Sequence, residues 1–364
     1  MNKVTDITFL PDLIKLPKES LKEICTDLRL DTTGTSFDLA QRLWDYIADG
    51  NRDGLESLEN RLLSGKTSVA WFKAVDLQAL RGLKKHLIDG EHNFFGNVLT
   101  IEASELTSEP KLIAAAELNE NEILLRYVYN SGNRRTISGT QVFTTPKSEI
   151  TTAYLNLNEG IVEIRTDAKN ATKIASAITK IGDLDIVLEP KAILAPFGND
   201  VEQIASALNG ELIDATSTPE LDLEDFTEEQ AQAILNILNA LNSYFDDESE
   251  TELIESLKNA SETFGDHLLT APFTALILNG MERVGMRTNV GDLRGQPLYD
   301  TLRPYLQHQG GFIKFKFPVD GIEKNFTIRV GLTTDSVYFT TPATEEVIKY
   351  VRENLIQNVG VVIQ

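Results

Sequence analysis

Apolar positions recur at helical spacing through the first fifty residues, alternate in pairs through the middle of the first half, and return to both periods afterwards. Leu21, Ile24, Cys25 and Leu28 fall at i, i+3, i+4 and i+7, and Leu39, Leu43 and Ile47 repeat the pattern, which predicts two short helices sharing an apolar seam over residues 13–47. Pro17 and Ser20 open the first helix and Ser36 is placed to cap the second. Asp31, Thr32, Thr33 and Gly34 supply the turn, with Gly34 free to take a positive φ. Helices of this size bury little by themselves, so the pair must be compact or lean on a neighbour.

Residues 54–88 predict two more helices, the second running through SVAWFKAVDLQALRGLKKHLI with Trp71, Phe72, Val75, Leu80, Leu83 and Leu87 inward. From 97 to 166 the period falls to two: EILLRYVYN, NRRTISGTQVFTT, ITTAYLNLN and GIVEIRT form an antiparallel meander broken by SGN and NEG turns. Asp167 caps a helix reaching about Ile181. A short strand (DIVLE), a helix after Asn199 and long helices at 227–245 and 249–264 follow, with Thr227 and Gln230 spaced as a capping box. FIKFKFP, FTIRVGL and SVYFTT return to strand, ahead of a helix with Thr341 as cap and Pro342 as first residue.

The passages IVEIRTDAKNATKIASAITKI and SVYFTTPATEEVIKYVRENLI share one order, apolar strand, Thr, helix start, amphipathic helix. That order fits two related modules whose sheets join into one platform, and fits two unrelated β-to-α junctions equally well. The predicted fold class is α+β. An N-terminal helical hairpin (1–50) and a basic helical connector (51–92) precede two antiparallel sheet-plus-helix modules (93–183 and 310–364), separated by an acidic, mainly helical region (184–309).

The hairpin's spacing resembles a SAP domain, the helix-extended turn-helix module. Gly34, Asp38, Leu39, Arg42 and Leu43 stand at the family's turn glycine and its acidic-Leu-x-x-Arg-Leu run, over about a tenth of the chain. The resemblance implies contact with DNA phosphate through a lysine and the N-terminus of the second helix. Ser36 stands where that lysine is usual, so this unit is expected to act jointly with the cationic helices at 61–86.

Charge changes the picture. The formal net charge is −21, which argues against a general nucleic-acid binder, yet it is unevenly spread. Residues 192–257 carry sixteen acids and no Lys or Arg, whereas 61–86 hold six cations against Asp76, and 123–148 hold four against no acid. Cys25 is the sole cysteine, on an apolar helix face, so a disulfide framework is excluded. No run of eighteen apolar residues occurs and the first residues, MNKVTDITFLPDL, lack a leader-like core, so a cytoplasmic location without membrane insertion is expected.

Motifs for chemistry are sparse. Gly65-Lys66-Thr67-Ser68 resembles the end of a phosphate loop but has Asn60 where the first glycine belongs and a predicted helix before it. Asp185, Glu189 and Lys191 are the residue types of a metal-dependent nuclease, and surface charge explains them more cheaply. His86, His92, His267 and His308 are isolated in sequence, and no metal or cofactor is expected. Arg283, Arg287, Arg294 and Arg303 fit phosphate contact or pairing with the chain's own acids. Ile234, Leu235, Leu238 and Leu241 form a packing stripe on the 227–245 helix that also leaves an oligomer open.

The function expected is a non-enzymatic, DNA-associated adaptor in bacterial genome maintenance or phage defence, which holds duplex DNA weakly through the SAP-like unit and the neighbouring basic helices and recruits a basic protein partner, or its own basic surface, through the acidic region. The alternative is a nuclease or other enzyme subunit of a DNA-targeting defence complex. The residues expected at nucleic acid are Lys18, Lys22, Arg42, Arg61, Lys66, Lys73, Arg81, Lys84, Lys85, Arg134 and Arg135.

Overall fold

In a computed structural model of the chain the described residues are 1–364 except 49, 51, 183, 220–226, 248–249, 265–283, 289–290, 304–305, 332–334 and 358–364. The fold is α+β. Its strands are β1 (Ser68–Ala74), β2 (Lys111–Asn119), β3 (Glu122–Ser138), β4 (Gln141–Asn156), β5 (Ile161–Ile164), β6 (Leu188–Pro190), β7 (Glu211–Pro219), β8 (Val284–Arg287), β9 (Leu306–Val319), β10 (Ile322–Gly331) and β11 (Ser336–Phe339). The helices are α1 (Leu10–Ile14), α2 (Lys18–Asp27), α3 (Ser36–Ala48), α4 (Glu59–Leu62), α5 (Leu77–Asp89), α6 (Ala168–Thr179), α7 (Val201–Ala207), α8 (Glu228–Asp247), α9 (Glu250–Phe264), α10 (Pro297–Leu302) and α11 (Glu345–Arg352).

Two compact units divide the chain: one comprises Met1–Ile193, Phe317–Ile328 and Thr334–Gln364, the other Leu194–Lys316 and Arg329–Thr333. In the first, strands run in the order β2-β3-β4-β5-β1-β11-β10, with β6 also on β1. Strands of both predicted modules therefore share one sheet, with β1 between them, antiparallel to β5 and to β11.

The sheet is covered on both faces, and alternation along the strands decides which side chain meets which layer. Ala115, Ile123, Leu125, Ala153 and Leu155 pack with Leu80, Leu83 and Leu87 of α5 and Ile174 and Ile178 of α6. Their neighbours Ala114, Ala116, Leu124 and Tyr154 face the opposite way, against Leu21, Ile24, Leu39 and Leu43 of the N-terminal helices. The helical hairpin thus leans on the sheet, which supplies the apolar surface that two short helices lack.

Local chemistry sets the hairpin's ends. Gly34 has φ +108°, as the turn requires. The cap of α3 is Thr35, not Ser36: Thr35 Oγ1 accepts from Asp38 N (3.3 Å) while the Asp38 carboxylate accepts from Thr35 N (2.7 Å). Asp38 completes this box, which fixes the start one residue early and makes Ser36 the first helical residue.

The predicted helix over 68–88 is a strand followed by a helix. Trp71 and Phe72 are both buried but enter different layers: Phe72 joins the α5/α6 core, and Trp71 donates to Glu163 (3.0 Å). A continuous apolar run fits either element, and Asp76, accepting from Gln78 N (2.7 Å), starts α5 beyond it. Val75, read as inward, is 60% exposed. The predicted SGN turn is also absent: β3 runs on past a pairing irregularity at Asn130 and Gly132, and the hairpin reverses between Ser138 and Gln141. The NEG segment does turn, with Gly160 at φ +66°. Thr344 caps α11 by accepting from Val347 N (3.4 Å), not Thr341, because Ala343 is bound to Gly65 in a two-residue bridge (2.9 and 3.1 Å) that keeps Pro342 out of the helix.

In the second unit β7 pairs with both β9 and β8. β7 and β8, unpredicted, interrupt the 184–309 region expected to be mainly helical, whereas β9 contains the predicted strand FIKFKFP. Thr227 and Gln230 form their expected box (3.1 and 3.2 Å) at the start of α8. The packing stripe on α8 is Ala233, Ile234, Ile237 and Ala240, whereas Leu235 is 44% exposed; the side chain of Leu241 lies outside the described residues. Among the described residues no helix is long and apolar enough to cross a membrane.

Candidate nucleic-acid interface

The cations expected at nucleic acid fall into separate places. Arg42 is held in the α2–α3 turn, donating to the Asp31 carbonyl (3.0 Å) and to Thr33 O and pairing with Asp31 Oδ2 (3.2 Å). Lys18 is exposed on α2 and Lys22 is half-buried, 3.7 Å from Glu19. Three others are tied to turns of the sheet: Lys73 donates to Glu159 O, Arg81 to Asn158 Oδ1 (3.2 Å), and Lys84 to Glu117 (2.9 Å) and Glu120 O (3.2 Å). Lys85 is exposed beside them. Arg61 pairs with Asp320 (2.8 Å).

Arg134 and Arg135 occupy a different setting. Beyond Asn130, β3 and β4 have no other strand neighbour among the described residues and continue as a two-stranded arm whose residues 132–148 are exposed on both faces. Arg134 lies opposite Thr145 and Arg135 opposite Thr144, so the two guanidiniums project to opposite faces. Ile137 (74% exposed), Val142 (62%) and Phe143 (50%) surround the tip. At the root Lys147 pairs with Glu149 (2.6 Å), and Tyr129 donates to the same carboxylate (3.1 Å). Burial tends to raise Glu149, but these two partners outweigh it and hold the carboxyl low; burial also pushes Tyr129 up to about 12.

Two buried ionic networks stand apart from these cations. In the first unit Glu163, fully buried, accepts from Trp71, from Arg352 (2.9 Å) and from Arg165 (3.0 and 3.1 Å), and Arg165 continues to Glu345 (2.5 and 2.6 Å). Burial penalises the Glu163 charge, but Arg352 and Arg165 more than offset this and its carboxyl stays below the usual range. Arg352 also stacks 3.9 Å above the Tyr154 ring.

The second network joins residues remote in sequence. Glu202, on α7, accepts from Tyr299 (2.6 Å) and Arg303 (2.5 Å) and lies 3.6 Å from His308 Nε2; Asp200 pairs with Arg303 (3.2 Å). Ser217 Oγ holds the other ring nitrogen of His308 at 3.1 Å. Burial raises Glu202, yet His308, Tyr299 and Arg303 together hold its carboxyl at about 2. His308, read in sequence as isolated, thus meets two carboxylates, and among the described residues Asp200, Glu202 and His308 are the side chains grouped as a cation might require. Arg303 already pairs with both carboxylates. Arg294 likewise grips Asp292 (2.6 and 2.9 Å), and Arg287 stands opposite Asp214 in the β7–β8 register. Arg294 and Arg303 therefore serve the chain's own acids, while Arg283 lies outside the described residues. Asp185, at φ +48°, leaves the backbone path of β6, so Asp185 and Glu189 do not share one strand.

Sequence reading missed other cations because their significance is tertiary. Lys169, Lys173 and Lys180 of the α6 segment rim a cavity of about 690 Å³ against Ser108, Glu109 and Pro110. Lys15 and Lys324 line a second, of about 270 Å³, together with Arg61. Compared with known proteins, the chain matches no family model and no curated protein.

Proposed function

We propose that this chain is a non-enzymatic, DNA-associated adaptor that holds duplex DNA weakly through the β3–β4 arm, acting with the SAP-like hairpin, and recruits a partner through its acidic region. The observation that carries the reading is the arm. A two-stranded ribbon exposed on both faces gains little from its own fold. It presents Arg134 and Arg135 on opposite faces with no acid between residues 123 and 148, and a ribbon of this width fits the major groove of B-DNA. A DNA duplex is the occupant its charge complements.

The SAP-like hairpin adds the exposed Lys18 and the half-buried Lys22, while its Arg42 serves its own turn. The pairing of Asp200 and Glu202 with Arg303 supports the chain's own basic groups as one counterpart of the acidic segment. Genome maintenance or phage defence is the setting in which such an adaptor would act.

The test is anisotropy of a labelled 20-base-pair duplex titrated with the full chain across salt concentrations. Arg134→Ala with Arg135→Ala is expected to weaken binding at least tenfold and to flatten the log–log salt slope by about 1.8, at about 0.9 per phosphate contact. Binding that is absent at low salt, or unmoved by both substitutions, would overturn the reading.

A further inference from the structure

The small recess behind the Gly65-Lys66-Thr67 turn has the chemistry of an oxyanion site. This turn is no phosphate loop: α4 precedes it and β1 follows, the reverse of the strand-to-helix order. Its effect is to carry Lys66 and Thr67 to the same recess as Lys15, Arg126 and Thr152. Gly65, at φ +97° and bound to Ala343, sets that path.

Three features point to a ligand. The recess, of about 20 Å³, is walled by Lys15, Ser64, Lys66, Thr67, Thr151 and Thr152, with Arg126 and Arg165. Asp12 is the one acid on its wall and is already taken by Arg126 (2.5 Å). Arg126 is 1% exposed, and although it donates to Asp12 and Thr152, its Nε has no hydrogen-bond partner among the described residues. That Nε is closed to solvent and the other two nitrogens are committed, so the cations open to a ligand at the recess are Lys15 and Lys66. The ammonium groups of Lys15 and Lys66 are exposed and paired with no acid among the described residues.

The recess admits oxygen atoms, not a whole phosphate, since one water needs about 10–15 Å³ of such space. The phosphorus would lie at its mouth. Lys15 and Ser64 also belong to the adjoining cavity of about 270 Å³, whose apolar wall includes Leu16, Pro17, Val319, Phe326 and Pro342, with Arg61 and Lys324 as further cations. An apolar wall beside a polar, cationic recess suits a ligand with a flat hydrophobic part and a phosphoryl part.

We propose that the first unit binds a 5′-phosphorylated nucleoside, with the phosphoryl oxygens held by Lys15 and Lys66 at the mouth of the recess and the nucleoside resting in the adjoining cavity against Phe326. The site is separate from the β3–β4 arm and stands whether or not the arm binds duplex DNA. A free mononucleotide and the 5′-end of a nucleic-acid strand offer the same chemistry.

Calorimetric titration of the full chain distinguishes the sources. The probes are the four nucleoside 5′-monophosphates, adenosine, inorganic phosphate, and a single-stranded decamer with and without a 5′-phosphate. Binding of a monophosphate or of the phosphorylated decamer, each at least tenfold tighter than its unphosphorylated form and than inorganic phosphate, supports the proposal, and whichever binds names the source. Lys66→Ala and Lys15→Ala, both at exposed positions and so expected to fold, should each weaken that binding about tenfold, the scale of one charged hydrogen bond. No binding of either class, binding of inorganic phosphate as tight as that of any nucleotide, or indifference to both lysine substitutions would overturn it. These outcomes are read independently of duplex affinity, which the arm variants report.

Discussion

The strands β3 and β4 are one hairpin in two environments. Near the base, Leu124 and Leu125 are buried on opposite faces of the sheet, each under its own layer of helices. Beyond Asn130 the same ladder continues with every residue from 132 to 148 exposed. Pairing is therefore equal along the hairpin while burial is not, and burial is what stabilises structure. The base carries the fold; the arm is available for something else to cover.

The buried ion network beside the base offers the harshest test. Glu163 lies opposite Tyr154 in the β4–β5 pairing and balances Arg165 and Arg352, so Glu163→Gln leaves Arg352 buried without its carboxylate and Arg165 with Glu345 alone. A loss of about 3–5 kcal/mol in urea unfolding is expected. A loss under 1 kcal/mol would show that the base depends on apolar packing alone. Next in size, Leu125→Ala should cost about 3 kcal/mol by the same measurement, through lost burial and the cavity left behind.

The network around Glu202 is an intermediate case, since its Arg303 partner is 46% exposed in the side chain. Its carboxyl, at about 2 when folded against 4.5 for the free group, is depressed. The stabilising contribution is therefore fully present above about pH 4.5 and is lost as pH falls toward 2. Unfolding curves at pH 6, 4 and 3 should show a decline that Glu202→Gln reduces; an unchanged decline would assign acid sensitivity to other carboxylates. The smallest effect on stability is expected at the tip. Phe143→Ala should move unfolding by less than about 0.5 kcal/mol while reducing duplex affinity, and a larger change would mean that the arm packs against something in the free protein.

The helical ends and turns were the most legible features, because they rest on residues within a few positions of one another. The Thr227–Gln230 box, the Asp167 cap and the positive φ at Gly34 follow from neighbours in sequence. Two caps lie elsewhere than the pattern predicts: Asp38, a local competitor, draws the α3 cap to Thr35, and the tertiary Ala343–Gly65 bridge delays α11 to Thr344. The run SVAWFKA could not be read from period alone, since a strand buried on both faces and a buried helix present the same apolar string.

The functional groups divide in the same way. That Arg134 and Arg135 sit in an acid-free stretch is a property of the sequence, and so is the segregation of acids into 192–257. Only the tertiary structure decides which cations remain available. It gives Lys84 to Glu117, Arg303 to Glu202 and Arg126 to Asp12, while leaving Lys66 at the mouth of a recess with no acid partner among the described residues. Electrostatic pairing depends on distance through space, and sequence spacing reports that distance only within a turn or two of one element. His308 and Glu202, separated by over a hundred positions yet 3.6 Å apart, mark where that local information ends.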